Sequence, residues 1–407
     1  MSIESREHVM DNGLRIVAEV DTRAASAAAG FFVRTGARDE SPQLMGISHF
    51  LEHMVFRGTE GLDGEAIDRA FEDLGASHNA WTSAEVTAFH GHALAESMPD
   101  VLDLLVRIMR PLLLDEDLED ERGVVLEEIA MYKDQPFWQL WEAAAEAYYG
   151  GHPMGHRVLG TTESVQAITP DDMRNWHTSR YGSDCTTLAL AGRLDFNAIV
   201  DRMEQSIGNW TPSGAKRDWG DMDHRMQDLV LHSDRTTQGY LIGLAPAPAL
   251  EDTRRHAAAV LAWIAGHGDG SALHWALVDP GIAEDARLEY EGHDRSGVFA
   301  AWSVCEPNQL QEVESTMREV IRTAAEGVTD NDLNRARSMI ATAVTVHGEL
   351  PAGRMQRLGR RVSTCGDVLP LDEELARIEA VSRDDLLAVV EAFPPEPVVL
   401  GKLLPDN

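Results

Sequence analysis

The apolar positions change period several times along the chain, and those changes predict its elements. Leu14 to Val20 alternates around Ile16 and Ala18, directly after the turn signal Asp11-Asn12-Gly13, which predicts a strand. Ala27 to Thr35 is a second apolar, strand-like run. From Ser41-Pro42 to Arg57 the period becomes helical, with Ile47, Phe50, Leu51, Met54 and Val55 on one stripe. A second helix is expected over Gly64 to Leu74, a strand over Trp81 to Phe89, and helices over Leu94 to Leu113 and Leu118 to Lys133. Thr169-Pro170-Asp171-Asp172 is a helix start: Thr can cap, Pro fits the first helical position, and acids suit the first turn. Thr186 to Ala191 reads as a short buried strand.

The texture changes near residue 207. Gly208 to Arg217 is polar and rich in helix breakers, close to the midpoint of the chain. The expected organisation is a first domain over 1–207, a linker over 208–226 and a second domain over 227–407. The second half repeats the order of the first. Asp117-Leu118, a helix and Pro136 return as Asp332-Leu333, a helix and Pro351, at an offset of 215. Ile168-Thr169 before Asp171-Asp172 returns as Val381-Ser382 before Asp384-Asp385, at an offset of 213. Two alignments at nearly one offset suggest a duplicated domain. Strands followed by helices in each half point to an α+β fold: two similar domains, each with helices packed on a largely antiparallel sheet.

Composition narrows the partners. The 407 residues carry 35 Lys+Arg against 68 Asp+Glu, a formal charge of −33. That balance argues against nucleic acid or an anionic membrane surface as the main partner. A hydrophobic share of 43% is that of a globular protein and excludes a disordered chain. Cys185, Cys305 and Cys365 lie far apart and odd in number, so neither a cysteine zinc site nor a disulfide-stapled fold is expected. With no signal-like apolar segment at the start and no apolar run approaching a membrane span, a cytoplasmic protein is expected.

The chemistry concentrates in His49-Phe50-Leu51-Glu52-His53. On a helix His49 and His53 stand one turn apart, so both imidazoles leave one face and can bind one zinc ion. Glu52 lies on the same side, within reach of a water on that metal, as an inverted HExxH motif. A chain of this composition would contain the pattern by chance about 0.1 times, so the motif alone decides nothing. Glu121 and Glu128, seven apart, share a helical face and offer the third ligand that a catalytic zinc needs. Glu127 is the adjacent rival.

This arrangement resembles the pitrilysin/insulinase family of zinc metallopeptidases, in the half-length subfamily that includes mitochondrial processing peptidase. There HxxEH is followed about 75 residues later by a Glu ligand, with another Glu seven residues before that ligand; Glu128 stands 75 positions after His53. The resemblance implies His49, His53 and Glu128 as zinc ligands, Glu52 as general base and Glu121 as the carboxylate that orients a ligand. The spacing from Glu121 favours Glu128 over Glu127. Asn79-Ala80-Trp81-Thr82 looks like the family's Asn-Ala-x-Thr segment, a strand that pairs with extended substrate. Gly151 to Thr161 resembles a family loop whose expected role is a structural turn. The implied function is a zinc-dependent endopeptidase that cleaves peptides or unfolded segments inside a dimer chamber. The family's second domain carries no metal, and Glu121 and Glu128 correspond here to Ala336 and Ala343.

One departure matters. The family's second domain usually holds an Arg and a Tyr, seven apart, that bind substrate carbonyls and stabilise the oxyanion. The matching segment here is Gly281-Ile282-Ala283-Glu284, with Glu284 in the place of Tyr and no Arg between His274 and Pro280. The resemblance therefore implies a homologous partner subunit that supplies Arg and Tyr, with a heterodimer favoured and a homodimer possible. The alternative reading is a non-catalytic or partner-dependent scaffold subunit. The other histidines, among them His90, His92, His152 and His156, are expected to play structural roles rather than to form a second metal site.

Overall fold

In a computed structural model of the protein, residues 3–220, 222 and 226–406 are described. Residues 1–2 and 407 of the expected domains, and residues 221 and 223–225 of the expected linker, lie outside them. The strands are β1 (Glu4–Val9), β2 (Arg15–Val20), β3 (Ser26–Val33), β4 (Gly58–Thr59), β5 (Leu62–Asp63), β6 (Ser77–Thr82), β7 (Thr87–Leu94), β8 (Thr186–Gly192), β9 (Gln227–Ser233), β10 (Gly239–Pro246), β11 (Asp285–His293), β12 (Ser296–Cys305) and β13 (Val399–Pro405). The helices are α1 (Ile47–Val55), α2 (Gly64–Asp73), α3 (Met98–Ile108), α4 (Asp115–Lys133), α5 (Pro136–Tyr149), α6 (Thr162–Ala167), α7 (Pro170–Arg180), α8 (Phe196–Ile207), α9 (Arg255–Gly266), α10 (Leu310–Arg322), α11 (Asp330–His347), α12 (Pro351–Cys365), α13 (Leu371–Glu379) and α14 (Arg383–Ala392).

The fold is α+β, with two main sheets. One runs β1-β2-β8-β3-β7-β6, the other β11-β12-β10-β13-β9. Both are antiparallel except for one parallel pair each, β2 with β8 and β13 with β9. The duplication expected from sequence reaches individual helices. Asp115 and Asp330, the first residues of α4 and α11, are 215 apart, as are Pro136 and Pro351, the first residues of α5 and α12. Thr169 and Ser382 each close a capping box, on α7 and α14. The same arginine latch recurs: Arg122 donates to the carbonyls of Val165 and Ile168, and Arg337 to that of Val381.

The compact units are not sequential. Unit 1 comprises residues 1–129, 156–218 and 346–370; unit 2 comprises 130–155, 219–345 and 371–407. Helix α12, late in the chain, covers β8, β3 and β2 in unit 1, while α5, early in the chain, covers β13, β10 and β9 in unit 2. In unit 1 this puts a core on each sheet face. Phe31, Val33, Leu188 and Leu190 pack on one side with α1 and α3, and Phe32, Ala189 and Val17 meet Met355, Leu358 and Val362 on the other. Strands buried on both faces are continuously apolar, which is why β3 and β8 lack alternation. Residues 208–218 form no regular element, yet they are pinned to unit 1. Trp210 is buried, and the buried Arg217 donates to both carboxylate oxygens of Asp39 and to the carbonyl of Glu85.

Three expectations need correction. The helix expected over 41–57 is interrupted: a 3₁₀ turn spans Pro42–Leu44 and α1 begins only at Ile47. Gly46 between them has φ +93°, a left-handed conformation that suits glycine. The strand expected over 81–89 is a hairpin, β6 and β7, turned by Ser83, which hydrogen-bonds both the N–H and the C=O of Val86. The helix expected from Leu94 starts at Met98, because Leu94 still pairs with Ser26 at the end of β7. No helix among the described residues is long and apolar enough to cross a membrane.

Candidate metal centre

Helix α1 sorts its residues by face. Ile47, Phe50, Leu51, Met54 and Val55 are almost wholly buried in the core, leaving His49, Glu52 and His53 on the other face, beside β6. Its first turn is held by Glu40, whose carboxylate oxygens accept from the N–H groups of Gly46 (2.7 Å) and Ser48 (2.8 Å). Burial pushes Glu40 up to about 8, against those two hydrogen bonds, which pull it down. A Cβ on Gly46 would meet the Leu159 carbonyl at 2.6 Å, and Ser164 Oγ donates to the Met45 carbonyl at 2.7 Å. The 151–161 loop thus ends in a brace for the start of α1.

Helix α4 places carboxylates on its inward stripe. Leu118, Val125 and Ile129 are buried there, and Glu121 with them. Glu128 follows on the same face, half-buried, while Glu127 is exposed on another. His49 Nε2 and His53 Nε2 each stand 3.6 Å from Glu128 Oε2. Among the described residues these three are the only group of three or more His, Cys, Asp or Glu placed to hold a metal, with donor atoms within 4.8 Å of one another.

The donor set fits zinc. Tetrahedral bonds of about 2.1 Å put ligand atoms about 3.4 Å apart, close to the 3.6 Å found here. Burial, with some repulsion from His53, pushes His49 down to about 3, so its ring is neutral and carries a free lone pair. Its Nδ1 is buried with no hydrogen-bond partner among the described residues. His53 differs. Burial works to lower it, but the hydrogen bond and charge of Glu121, helped by Glu52 and Glu128, raise it overall. Its Nδ1 lies 2.8 Å from Glu121 Oε1, an outer contact that fixes the tautomer and turns Nε2 toward Glu128. The same bond lowers Glu121, whose other oxygen faces Arg57 Nη1 at 3.5 Å.

Glu52 sits beside this group. Burial raises its carboxyl, and Thr82 Oγ1 donates to its Oε2 at 2.5 Å. Thr82 lies on β6, the edge of its sheet, so the segment 79–82 and α1 share one site. On the opposite face of β6, Trp81 donates to Gln356 Oε1 (3.1 Å) and lies under the guanidinium of Arg360 (4.6 Å). Asn79 turns its Oδ1 to the Ala80 N–H. Sequence reasoning did not single out Arg57, although it lies one helical turn after His53, the same spacing that was informative for the histidines. It could not find Gln356 and Arg360, which come from distant α12. His152 and His156 contact the carbonyls of Trp219 and Ala37, in keeping with structural roles.

Family models match most of the chain: "Insulinase (Peptidase family M16)" over residues 15–162 and "Peptidase M16 inactive domain" over 167–340. The chain belongs to peptidase family M16. A Streptomyces coelicolor protein named an uncharacterized zinc protease is 31% identical, over 94% of this chain and 86% of the relative. The beta subunit of the Saccharomyces cerevisiae mitochondrial-processing peptidase is 26% identical, over 94% of this chain and 87% of its own. A crystal structure of a protease from Helicobacter pylori shares the fold with a TM-score of 0.91, covering the whole of both chains at 20% identity.

Proposed function

We propose that this chain is a zinc endopeptidase of peptides and unfolded segments. The observation that carries the reading is the convergence of His49, His53 and Glu128 with Glu52 alongside, held by Thr82. When bound, zinc supplies a Lewis acid that polarises the scissile carbonyl and acidifies a water toward a pKa of about 7. Glu52 takes the water's proton and passes it to the leaving amine. Thr82 holds Oε2 of Glu52 and so orients the carboxylate, leaving Oε1 for that water. Glu121 keeps the His53 ring in its ligating tautomer. Substrate adds as a strand along the outer edge of β6, beside the segment Asn79, Ala80, Trp81 and Thr82.

The reading includes a partner. Glu284 stands where the family pattern has Tyr, and its carboxylate accepts from Gln238 Nε2 at 2.5 Å. A carboxylate in the Tyr position has no O–H to donate to a developing oxyanion, so a homologous subunit is proposed to supply Arg and Tyr; the yeast relative is itself named as a subunit. The test is Glu52→Gln. Zinc content should stay at the wild-type level while peptide hydrolysis falls by about 10²- to 10⁴-fold. Hydrolysis unchanged in the zinc-loaded variant would refute the mechanism. Full hydrolysis by the purified chain alone would refute the partner requirement.

A further inference from the structure

A second polar cleft in unit 1 is lined by none of the metal group's residues. Its volume is about 740 Å³, bounded by Thr59, the end of α3, α7 and the segment after α8. Arg107, Arg110, His177, Asn209 and Trp210 line it, with Glu60 as its one acidic residue. Arg110 stacks 3.8 Å over the Trp210 ring, and its Nη1 reaches the Tyr181 carbonyl at only 3.5 Å. Arg107 Nη2 donates to the Glu60 carbonyl at 2.7 Å. Neither guanidinium has a carboxylate within 4 Å among the described residues.

Acids outnumber Lys and Arg 68 to 35 in this chain, yet none among the described residues meets this pair. The deeply buried arginines of unit 1 have carboxylates: Arg217 has Asp39, and Arg38 has Glu85. Removing a guanidinium from water is costly unless an anion meets it. Arg110 is partly removed from water, and burial lowers its pKa. His177 adds no anion: burial holds it neutral, with Nε2 on the Met109 carbonyl at 3.1 Å. A guanidinium that meets only a backbone carbonyl and no carboxylate keeps N–H donors suited to a phosphate or carboxylate group. The cleft is far larger than a lone ion and falls in the size range of small-molecule sites.

We propose that this cleft binds the oxyanion group, phosphate or carboxylate, of a small organic acid, with Arg110 as the principal contact and Arg107 as the second. The proposal stands apart from the peptidase reading and is tested without an activity assay. The full chain is titrated calorimetrically with inorganic phosphate and, separately, with succinate, at matched ionic strength in sodium chloride. The expected result is saturable one-to-one binding of at least one probe. Phosphate alone would identify a phosphoryl ligand, and succinate alone a carboxylic acid. Arg110→Gln, checked for folding by circular dichroism, should weaken binding about tenfold or more, and Arg107→Gln less. Arg295→Gln, which removes a cation stacked on Trp219 outside the cleft, should bind as the wild type does. Absence of saturable binding for both probes overturns the proposal, as does wild-type affinity in folded Arg110→Gln. If Arg110→Gln does not fold, Arg110→Lys keeps the charge but loses the fork; wild-type affinity in both Arg110→Lys and Arg107→Gln then overturns it.

Discussion

Five strands of unit 1, β2-β8-β3-β7-β6, and the five of unit 2, β9-β13-β10-β12-β11, run in the same order, with the parallel pair in the same place. Helices α4 and α11 correspond residue for residue at an offset of 215. Leu118 matches Leu333, Val125 matches Ile340, and the latch arginines Arg122 and Arg337 match as well. The apolar stripe and the latch are therefore what the fold needs. Glu121 and Glu128 are not, since Ala336 and Ala343 stand in their places. The helix after the central strand differs too. In unit 1, α1 turns His49, Glu52 and His53 toward β6. In unit 2, α9 approaches β11 so closely that a Cβ on Gly266 would meet Leu288 N at 2.0 Å, leaving no room for such side chains. One copy gives this space to the His49, Glu52 and His53 side chains and the other to close packing.

The comparison breaks most sharply at the ligands. His49→Ala and His53→Ala should each abolish zinc binding and lower hydrolysis by about 10³-fold or more, while circular dichroism stays native, because unit 2 folds without the equivalent groups. Parallel loss of structure would show that the metal group is part of the fold's support. Glu121→Gln should be milder, with zinc affinity about 10- to 100-fold weaker by competition with a chelator, because the ligands stay and only the negative charge beside His53 and Arg57 is lost.

The latches test the shared part. Arg122→Ala and Arg337→Ala should each lower stability by about 1–3 kcal/mol in denaturant titrations, since the first leaves two carbonyls and the second one without its donor. Zinc content should be unaffected by Arg337→Ala. A further effect concerns pH. His90 and His177 of unit 1 are held down to about 4, in both cases mainly by burial, against an unfolded value of 6.5. Between those values the unfolded chain binds more protons. Their contribution to stability is therefore full above pH 6.5 and falls as pH drops toward 4. His177→Gln should flatten that slope in acid-unfolding curves followed by circular dichroism.

The site was largely legible because its parts are local. HxxEH needs only the helical period to bring two imidazoles together, and the seven-residue step from Glu121 to Glu128 needs only the same arithmetic. The duplication was legible because helix caps have fixed chemistry, as Thr169 and Ser382 show. What escaped was non-local or conformational. The break at Gly46 depends on a positive φ and on a carbonyl from residue 159 pressed against it. Periodicity shows that α5 and α12 bury a face but not which sheet receives it, so the exchange of helices between sequence halves was invisible. Thr82 and Glu52, thirty positions apart, meet only because β6 forms the sheet edge beside α1.

The central claim is that one copy of the duplicated fold, and only one, holds zinc through His49, His53 and Glu128. The direct measurement is zinc stoichiometry by elemental analysis of the wild-type chain and Glu128→Gln. The account predicts one zinc per chain in the first and near none in the second, both with native circular dichroism. Two zinc ions per chain, or an unchanged content in Glu128→Gln, would contradict it.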